Sequence, residues 1–500
     1  MRRAALALAL LALTGCESFE LTHLAPLEDA ILGIDAVNGI ARVVRVDTDP
    51  VQTTEIDLSE GGVLVLSRPD APGEALVLTQ GRIGDEDNPP LPAELVRVDR
   101  TGELDRWVFE RQYFEARVSP SGRYVHTLAP FGRLVVENNI EVVDLDSPPG
   151  DANPISLSLR SLGGEVPTAA AFSEPLSWAD GGTLRVAALF AAGQLSLFDL
   201  DAPDAPPVTV PTTVDGATVG PSPVEVRFVD AELVVRTADG SQLIVVSLLP
   251  RADGEQRFDV TLRTLATSGA VDSLAVDRRG DAPRLLALAG QRLYVFDLST
   301  SIERVVELPS RYHSILQFEG PAPGDPEVRP RIVLWGSVSR LTFIELGAGA
   351  SDVVDETSLP LAFRPDSVVT DASSGRLVVF ERRGSAPGLD VAGSAGRVPV
   401  SVVDLFDRSA LALTASGDVT RAAVSADLGD VWIASVDGYV SRFDVDSHEQ
   451  EELWLEEDVA SLLPLPGVGG RVLAFHHIRD GRFSILQPGV TEPRRVDGVF

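Results

Sequence analysis

Residues 421–457 read RAAVSADLGDVWIASVDGYVSRFDVDSHEQEELWLEE, and they show the pattern from which the fold of the whole chain is predicted. The stretch contains four short apolar runs, at 421–427, 430–436, 439–445 and 450–457, separated by Asp, Gly and Ser residues. Runs of this length, closely spaced and bounded by turn-forming residues, are typical of antiparallel strands joined by hairpins. The stretch therefore predicts one four-stranded sheet.

The third run belongs to a pattern that recurs along the chain, an apolar run that ends in an acid. Eight such runs end at Asp47, Asp99, Asp144, Asp199, Asp297, Glu345, Asp404 and Asp444, and two similar runs without the acid centre on Ser247 and Gln487. Their mean spacing is about 49 residues, close to the roughly 40–50 residues of a four-stranded propeller blade. No sustained helical stripe of apolar residues follows residue 15. The chain is therefore predicted to be all-β and to form a β-propeller.

The number of blades follows less directly from this repeat. The ten recurring runs imply nine full units and a partial one at the front, whereas most propellers have about four to eight blades. We predict a single large propeller of about eight blades, within a range of seven to nine, with two smaller propellers as the alternative. The ring is expected to close by pairing of residues near 33–58 with the last blade, residues 458–500.

The composition excludes several classes of protein. Of the 500 residues, 44% are apolar and 23% are charged, as in folded globular proteins. All 42 basic residues are Arg, and 74 acidic residues give a net charge of −32. Such a charge repels phosphate backbones, so nucleic acid is not an expected partner. A single Cys allows no internal disulfide.

The amino-terminal segment, residues 1–16, reads MRRAALALALLALTGC. It has a basic start and ten apolar residues, which is the pattern of a secretory signal and too short for a membrane-spanning helix. Its end, Leu13-Thr14-Gly15-Cys16, resembles the lipobox of bacterial lipoproteins. The resemblance implies cleavage before Cys16, a diacylglycerol on its sulfur, and an acyl chain such as palmitate on its new amino group. More than one acyl chain gives stable anchoring.

Domain boundaries and location follow from these observations. Residues 1–15 are predicted to be the signal peptide, 16–32 a lipidated tether and 33–500 the propeller. The lipoprotein resemblance implies a bacterial cell envelope. In enteric lipoproteins an Asp after the Cys favours the inner membrane, so Glu17 favours the outer membrane. Periplasmic and surface exposure both stay open.

Three segments resemble known propellers. Residues 115–129, EARVSPSGRYVHTLA, look like the Ser-Pro-Asp-Gly-Arg turn of WD40, YVTN and TolB-like propellers, with Ser121 in place of the Asp. Residues 95–109, LVRVDRTGELDRWVF, are similar to the repeat of quinoprotein-type and outer-membrane assembly propellers. Residues 425–432, SADLGDVW, match the Asp box of sialidases and other propellers, whose Trp packs between sheets. These resemblances imply the architecture only.

The sequence contains no common catalytic or metal-binding pattern. It has no paired Cys, no His-x-His, no His-Glu-x-x-His and no Gly-x-Ser-x-Gly. His476 and His477 are adjacent on a predicted strand and therefore point to opposite faces. The acids that end the third runs are predicted to accept N–H groups of the turns that follow. No metal and no cofactor is predicted, although acidic clusters leave a structural Ca²⁺ open.

Binding is predicted on loops between second and third strands, which emerge on one face of a propeller. Three of these loops, residues 83–94, 128–139 and 384–397, are longer than folding needs. The candidate binding residues are Asp85, Glu86, Asp87, Phe131, Asn138, Asn139, Arg382 and Arg383. Their mixed chemistry suits a protein or glycan surface better than a small-molecule pocket. Neutral insertions are the alternative.

The leading hypothesis for function is a lipid-anchored, monomeric, non-enzymatic scaffold that binds a protein or another envelope component. One alternative is an accessory lipoprotein of outer-membrane barrel assembly. Another is a propeller enzyme, such as a lactonase or glycosidase, with its site at the central channel. The sequence does not identify the ligand.

Overall fold

The structure is a computed structural model that describes most of the chain after residue 23. The described residues are 24–35, 40–58, 62–68, 70–82, 89–113, 115–128, 139–150, 152–177, 182–191, 194–210, 213–214, 217–218, 223–237, 240–251, 257–277, 283–300, 303–322, 325–347, 353–371, 375–381, 397–425, 428–466, 469–477 and 481–499. Over these residues the chain is almost entirely β, as predicted. Two short 3-10 helices, Leu159–Leu162 and Val436–Gly438, are also present.

The strands follow one another with few interruptions. Those of the first half are β1 (Leu24–Leu27), β2 (Ala30–Asp35), β3 (Ile40–Arg45), β4 (Gln52–Asp57), β5 (Gly62–Ser67), β6 (Glu74–Thr79), β7 (Glu94–Asp99), β8 (Gly102–Val108), β9 (Glu115–Val118), β10 (Tyr124–Leu128), β11 (Asn139–Asp144), β12 (Ile155–Ser158), β13 (Ala169–Phe172), β14 (Leu176–Ser177), β15 (Thr183–Leu184), β16 (Val186–Ala191), β17 (Gln194–Asp199), β18 (Val208–Val210), β19 (Thr213–Val214), β20 (Ala217–Thr218), β21 (Pro223–Val229), β22 (Glu232–Thr237), β23 (Gln242–Pro250) and β24 (Phe258–Ala266). Those of the second half are β25 (Ser273–Asp277), β26 (Arg284–Ala289), β27 (Arg292–Asp297), β28 (Glu303–Glu307), β29 (Ser314–Ala322), β30 (Asp325–Trp335), β31 (Arg340–Leu346), β32 (Val353–Pro360), β33 (Ser367–Asp371), β34 (Arg376–Phe380), β35 (Arg397–Asp404), β36 (Ser409–Ser416), β37 (Val419–Val424), β38 (Val431–Ser435), β39 (Tyr439–Phe443), β40 (Gln450–Trp454), β41 (Ser461–Pro464), β42 (Val472–His477), β43 (Arg482–Leu486) and β44 (Arg494–Val496).

The strands form ten four-stranded antiparallel sheets within the described ranges, and each sheet is one blade. Nine blades consist of four consecutive strands, from β1–β4 to β41–β44. The fourth blade is β13-β16-β17-β18, with the hairpin β14–β15 inserted after its first strand, and the hairpin β19–β20 precedes the fifth blade. The segment quoted from residues 421–457 forms the ninth blade, β37–β40, with the four predicted strands in the predicted order.

Burial follows the position of a strand within its blade. The second strands, such as β16 and β26, are buried along their whole length because both of their faces pack against neighbouring blades. The fourth strands are much more exposed, as in β4 and β28, because they lie at the outer edge of the ring. Valine and leucine runs therefore occupy the inner strands, and outer strands such as β4 and β28 carry exposed charged residues.

Over the described residues the apolar core forms ten clusters, here called seams, each between two consecutive blades. The first joins blades 1 and 2 through residues such as Val43 and Val77. The last joins blades 10 and 1, where Leu24 and Ile31 pack with Phe475. The described blades thus close into one ring of ten.

The predictions of about eight blades and of two smaller propellers are therefore wrong. Each of the ten recurring positions, which are the eight acids, Ser247 and Gln487, lies on the third strand of its own blade or within two residues of its end. The number of repeats in the sequence equals the number of blades, whereas the usual size of propellers gives too small a number. The tenth blade packs against blade 9 on one side and against blade 1 on the other, and this second seam closes the ring.

The predicted mode of ring closure is also wrong. Over the described residues, β1 to β4 pair with one another, and the last blade is built from β41 to β44. Closure rests on side chains of the seam between blades 10 and 1, and Arg42 Nη1 reaches the carbonyl oxygen of Val499 at 3.5 Å. The first blade begins at Leu24, inside the segment expected to be a tether, because the short runs LAPL and AILGID form a hairpin.

Two ends of every sheet can be distinguished by register. At one end, which we call the upper face, lie the turn from strand two to strand three and the connection from strand four to the next blade. In the sixth blade, for example, Ala289 pairs with Arg292 and Arg292 with Glu307 at this end. The third-strand acids lie at the opposite end, the lower face.

No helix in the described part of the chain is long and apolar enough to cross a membrane.

Candidate binding face

Most of the residues predicted to bind or anchor lie outside the described ranges. These are Cys16, Asp85, Glu86, Asp87, Phe131, Asn138, Arg382 and Arg383. Asn139 is described, and it begins β11 on the upper face. Its Nδ2 donates a hydrogen bond to Oγ of Ser156 at 3.1 Å, so this amide joins β11 to β12.

The acids that end the third strands cap the turns that follow, as predicted. Oδ1 of Asp99 accepts hydrogen bonds from the backbone N–H groups of Thr101 at 2.7 Å and Gly102 at 3.1 Å. The same kind of bond, in which the backbone N–H two residues later donates to the aspartate Oδ1, recurs at Asp144, Asp199, Asp297, Asp404 and Asp444. These acids shape the lower face.

Arginine side chains connect the acids of neighbouring blades. Asp144 is 1% exposed and accepts Arg123 of its own blade at 3.0 Å and Arg185 of the fourth blade at 2.5 Å. Arg185 also binds Asp201 at 2.6 Å, and Arg257 of the fifth blade lies 3.4 Å from Asp201. A continuous chain of ion pairs therefore crosses three blades. The planar guanidinium, with five donors, suits such bridging.

Near the upper face, a tyrosine and a carboxyl meet between blades 2 and 3. Tyr113, in the connection from β8 to β9, donates its hydroxyl hydrogen to Oε1 of Glu141 at 3.0 Å. Both side chains are buried, and the backbone N–H of Glu141 is bonded to Oγ1 of Thr127 at 2.9 Å. Burial raises the pKa of Glu141 to about 7, and burial beside this carboxyl also raises the pKa of the Tyr113 hydroxyl.

Two other blades can be compared at the positions of Tyr113 and Glu141. In the seventh blade Tyr312 occupies the place of Tyr113, and its hydroxyl bonds to Thr342 at 2.6 Å. In the second blade Glu94 corresponds to Glu141, and it forms an ion pair with Arg106. The tyrosine is therefore a recurring structural anchor. The carboxyl of Glu141 differs from Glu94 in facing a hydroxyl instead of a guanidinium.

A buried histidine lies one seam further on, between blades 3 and 4. His126 is 6% exposed and its ring lies 5.1 Å, centroid to centroid, from that of Phe172. Burial, reinforced by the charge of Arg117, lowers the pKa of His126 to about 3. The imidazole is therefore neutral at ordinary pH and behaves as part of the apolar seam.

An open cleft of about 360 Å³ lies on the upper face of the sixth blade. It is lined by Ser268, Ala289, Gly290, Gln291, Arg292, Glu307 and Arg311. Nε of Arg292 donates to Glu307 at 2.7 Å, whereas the 73% exposed side chain of Arg311 approaches Asp272 only to 3.8 Å. Its lining is charged and polar, and it forms where a two–three turn is short, not at one of the long loops.

Sequence reasoning missed these features for identifiable reasons. The cleft is formed by a turn of the sixth blade together with the connections before and after that blade. No single sequence motif contains all of these segments. The Tyr113 anchor left a signal, because FERQY at 109–113 and LPSRY at 308–312 have the same spacing from the end of strand four. Within the described ranges, no group of three or more His, Cys, Asp or Glu residues is arranged to hold a metal ion.

Comparisons with known proteins add similarities of architecture. No protein-family profile and no curated protein matches the sequence. The solved structure of the dihydro-heme d1 dehydrogenase NirN, in complex with DHE, is 15% identical with a TM-score of 0.38 and covers 72% of this chain and 70% of its own. The solved structure of Sqt1 of Saccharomyces cerevisiae is 11% identical with a TM-score of 0.39, and the match covers 72% of this chain and 92% of Sqt1. The ten sheets and ten seams themselves define this chain as a β-propeller.

Proposed function

We propose that this chain is a lipid-anchored scaffold of the bacterial cell envelope that binds a protein or another envelope component through its upper face. The observation that carries the proposal is the closed ring of ten seams, which holds the described upper-face turns and connections on one platform. Rigid elements that present loops are the usual basis of recognition surfaces. The lipobox resemblance at Cys16 supports the anchor.

The cleft of the sixth blade supports binding on this face. Its volume of about 360 Å³ lies near the lower end of ligand sites, and its polar lining differs from that of small-molecule pockets, which are mostly apolar. The guanidinium of Arg311, largely exposed beside this cleft, is available for a surface-to-surface contact. Arginine is enriched at protein interfaces.

The test is site-specific photocrosslinking of the full-length protein in its own cells. A crosslinking amino acid replaces Arg311 on the upper face or, as a matched control, Asp446, whose side chain is 88% exposed beside a lower-face turn. We expect a crosslinked partner from position 311 and none from position 446. Crosslinks from the lower-face position alone, or from neither position, would overturn the proposal.

A further inference from the structure

An exposed pair of aromatic side chains marks the rim of the ninth blade. Tyr439 begins β39 and Trp454 ends β40, and the two are directly opposite in the antiparallel register. Their side chains therefore lie on the same face of the sheet, where Tyr439 is 40% and Trp454 59% exposed. Large aromatic groups exposed together are a common feature of interaction surfaces.

The aromatic pair lies beside the outer edge of the ninth blade. Within the described residues, β40 pairs with β39 only and forms the outer edge of the blade. An exposed edge offers its N–H and C=O groups to an added strand. Glu452, two residues before Trp454 on the same face, would lie beside the side chains of any strand added there.

The charge around this edge limits what can add to it. Residues 449–458 read EQEELWLEED, and Glu449, Glu452 and Glu456 are exposed and have no ion pair with any described residue. Two copies of β40 placed edge to edge would bring Glu452 against Glu452, which disfavours pairing of the protein with itself. A cationic strand would meet attraction from the same acids. It would also meet the indole face of Trp454, which attracts guanidinium and ammonium groups.

We infer that the β40 edge binds an extended, basic segment of a partner protein, added as a fifth strand of the ninth blade. The inference rests on the proposed function only in that the chain acts by binding another protein. Its residues lie on the outer rim, apart from the cleft of the sixth blade, so the two can fail independently. Arg or Lys side chains at alternate positions of the segment face Glu452 and Trp454.

The experiment uses the full chain and a fluorescein-labelled peptide, acetyl-Val-Arg-Val-Arg-Val-Arg-amide, with the Glu-containing counterpart as a second probe. Fluorescence anisotropy should show saturable binding of the Arg peptide and none of the Glu peptide. Glu452→Arg and Trp454→Ala should each weaken binding about tenfold. The matched control is Glu303→Arg, which makes the same change of charge on β28, the exposed outer strand of the sixth blade.

Hydrogen exchange distinguishes strand addition from contact through side chains alone. The Arg peptide should slow exchange of the backbone N–H groups of residues 450–454 and leave those of β28 unchanged. The inference is overturned if the wild-type chain does not bind the Arg peptide, or if Glu303→Arg weakens binding as much as Glu452→Arg. It is equally overturned if binding leaves exchange along β40 unaltered. None of these results affects crosslinking from position 311.

Discussion

Arg185 of the fourth blade donates from Nη1 to Oδ2 of Asp144 in the third blade at 2.5 Å, and Asp144 is almost completely buried. The carboxylate thus serves two blades, because it also accepts Arg123 and the turn that follows its own strand. An ion pair shared in this way fixes the relative position of neighbouring blades on the lower face. Apolar packing in the seams supplies most of the free energy that holds neighbouring blades together. Ion pairs of this kind fix how the blades are positioned against each other.

Asp144→Asn should destabilise the protein by about 3 kcal/mol, because removing one partner of a buried ion pair leaves the other partners uncompensated. The measurement is the free energy of unfolding in urea. Asp146→Asn is the matched control, since Asp146 is 57% exposed and binds the same Arg123 at 3.1 Å. We expect a loss within about 1 kcal/mol for the control. Equal losses for the two variants would contradict the shared role of Asp144.

Glu141→Gln should change the pH dependence of stability. The folded pKa of Glu141 is raised to about 7 by burial, above the ordinary value, so the folded state retains a proton that the unfolded state has released. This stabilisation is full below the unfolded pKa, near 4.5, and is lost as the pH rises to about 7.

At pH 8, Glu141→Gln should therefore gain on the order of 2 kcal/mol relative to wild type, and the gain should vanish near pH 4. Thermal unfolding across this pH range measures it. Glu94→Gln, which instead breaks the ion pair with Arg106, should destabilise at pH 8. A Glu141→Gln curve parallel to the wild-type curve would refute the prediction.

His126 should limit stability in acid. Its pKa is lowered to about 3 by burial, so below about pH 6.5 the unfolded state binds a proton that the folded state does not. Stability therefore decreases as the pH is lowered, by about 2 kcal/mol between neutrality and pH 5 from this group alone. His126→Phe should remove that part of the slope in denaturant titrations. A slope that is unchanged in His126→Phe would contradict the prediction.

Gly122→Ala should destabilise more than its backbone conformation alone requires. Gly122 has φ +79°, and a Cβ there would lie 1.8 Å from Oδ1 of Asp70 in the second blade. Gly163→Ala is the matched control, because Gly163 has φ +68° and no atom within 4 Å of the added carbon. We expect a loss of about 1 kcal/mol for the control and at least about twice that for Gly122→Ala. Chemical denaturation measures both.

Cys16→Ser should prevent attachment of lipid, since the lipobox resemblance places the acylated sulfur at this residue. Labelling of growing cells with radioactive palmitate should mark the wild-type protein and not the variant. The variant should also appear in the soluble fraction after cells are broken. Persistent labelling of Cys16→Ser would place the anchor elsewhere.

The sequence predicted the repeating unit well because each blade carries its own local pattern. The ninth blade formed with the four predicted strands, and the Asp-box Trp432 is fully buried in the seam between blades 9 and 10, as the resemblance implied. The capping role of residues such as Asp99 was predicted for the same reason, since a turn depends on residues two or three positions away.

Properties of the ring as a whole were not predictable in this way. Closure depends on contacts such as Ile31 with Phe475, which are distant in sequence and leave no local pattern. The hairpin of β1 and β2, whose strands have four and six residues, starts within the segment 16–32 that is predicted to be a tether. The raised pKa of Glu141 likewise depends on burial between blades 2 and 3, which no local pattern around residue 141 indicates.

The closing seam between blades 10 and 1 has a consequence for how such a ring arises. Within the described ranges no strand of blade 1 pairs with a strand of blade 10, so each described blade is a four-stranded sheet of its own that packs against a neighbour on each side. A gene duplication that adds one blade then needs no coordinated change at the ends of the chain. The same modularity allows circular permutation: a linker joining residues 499 and 24 should permit new termini at any connection between blades. A ring built in this way can grow past the usual size, one blade at a time.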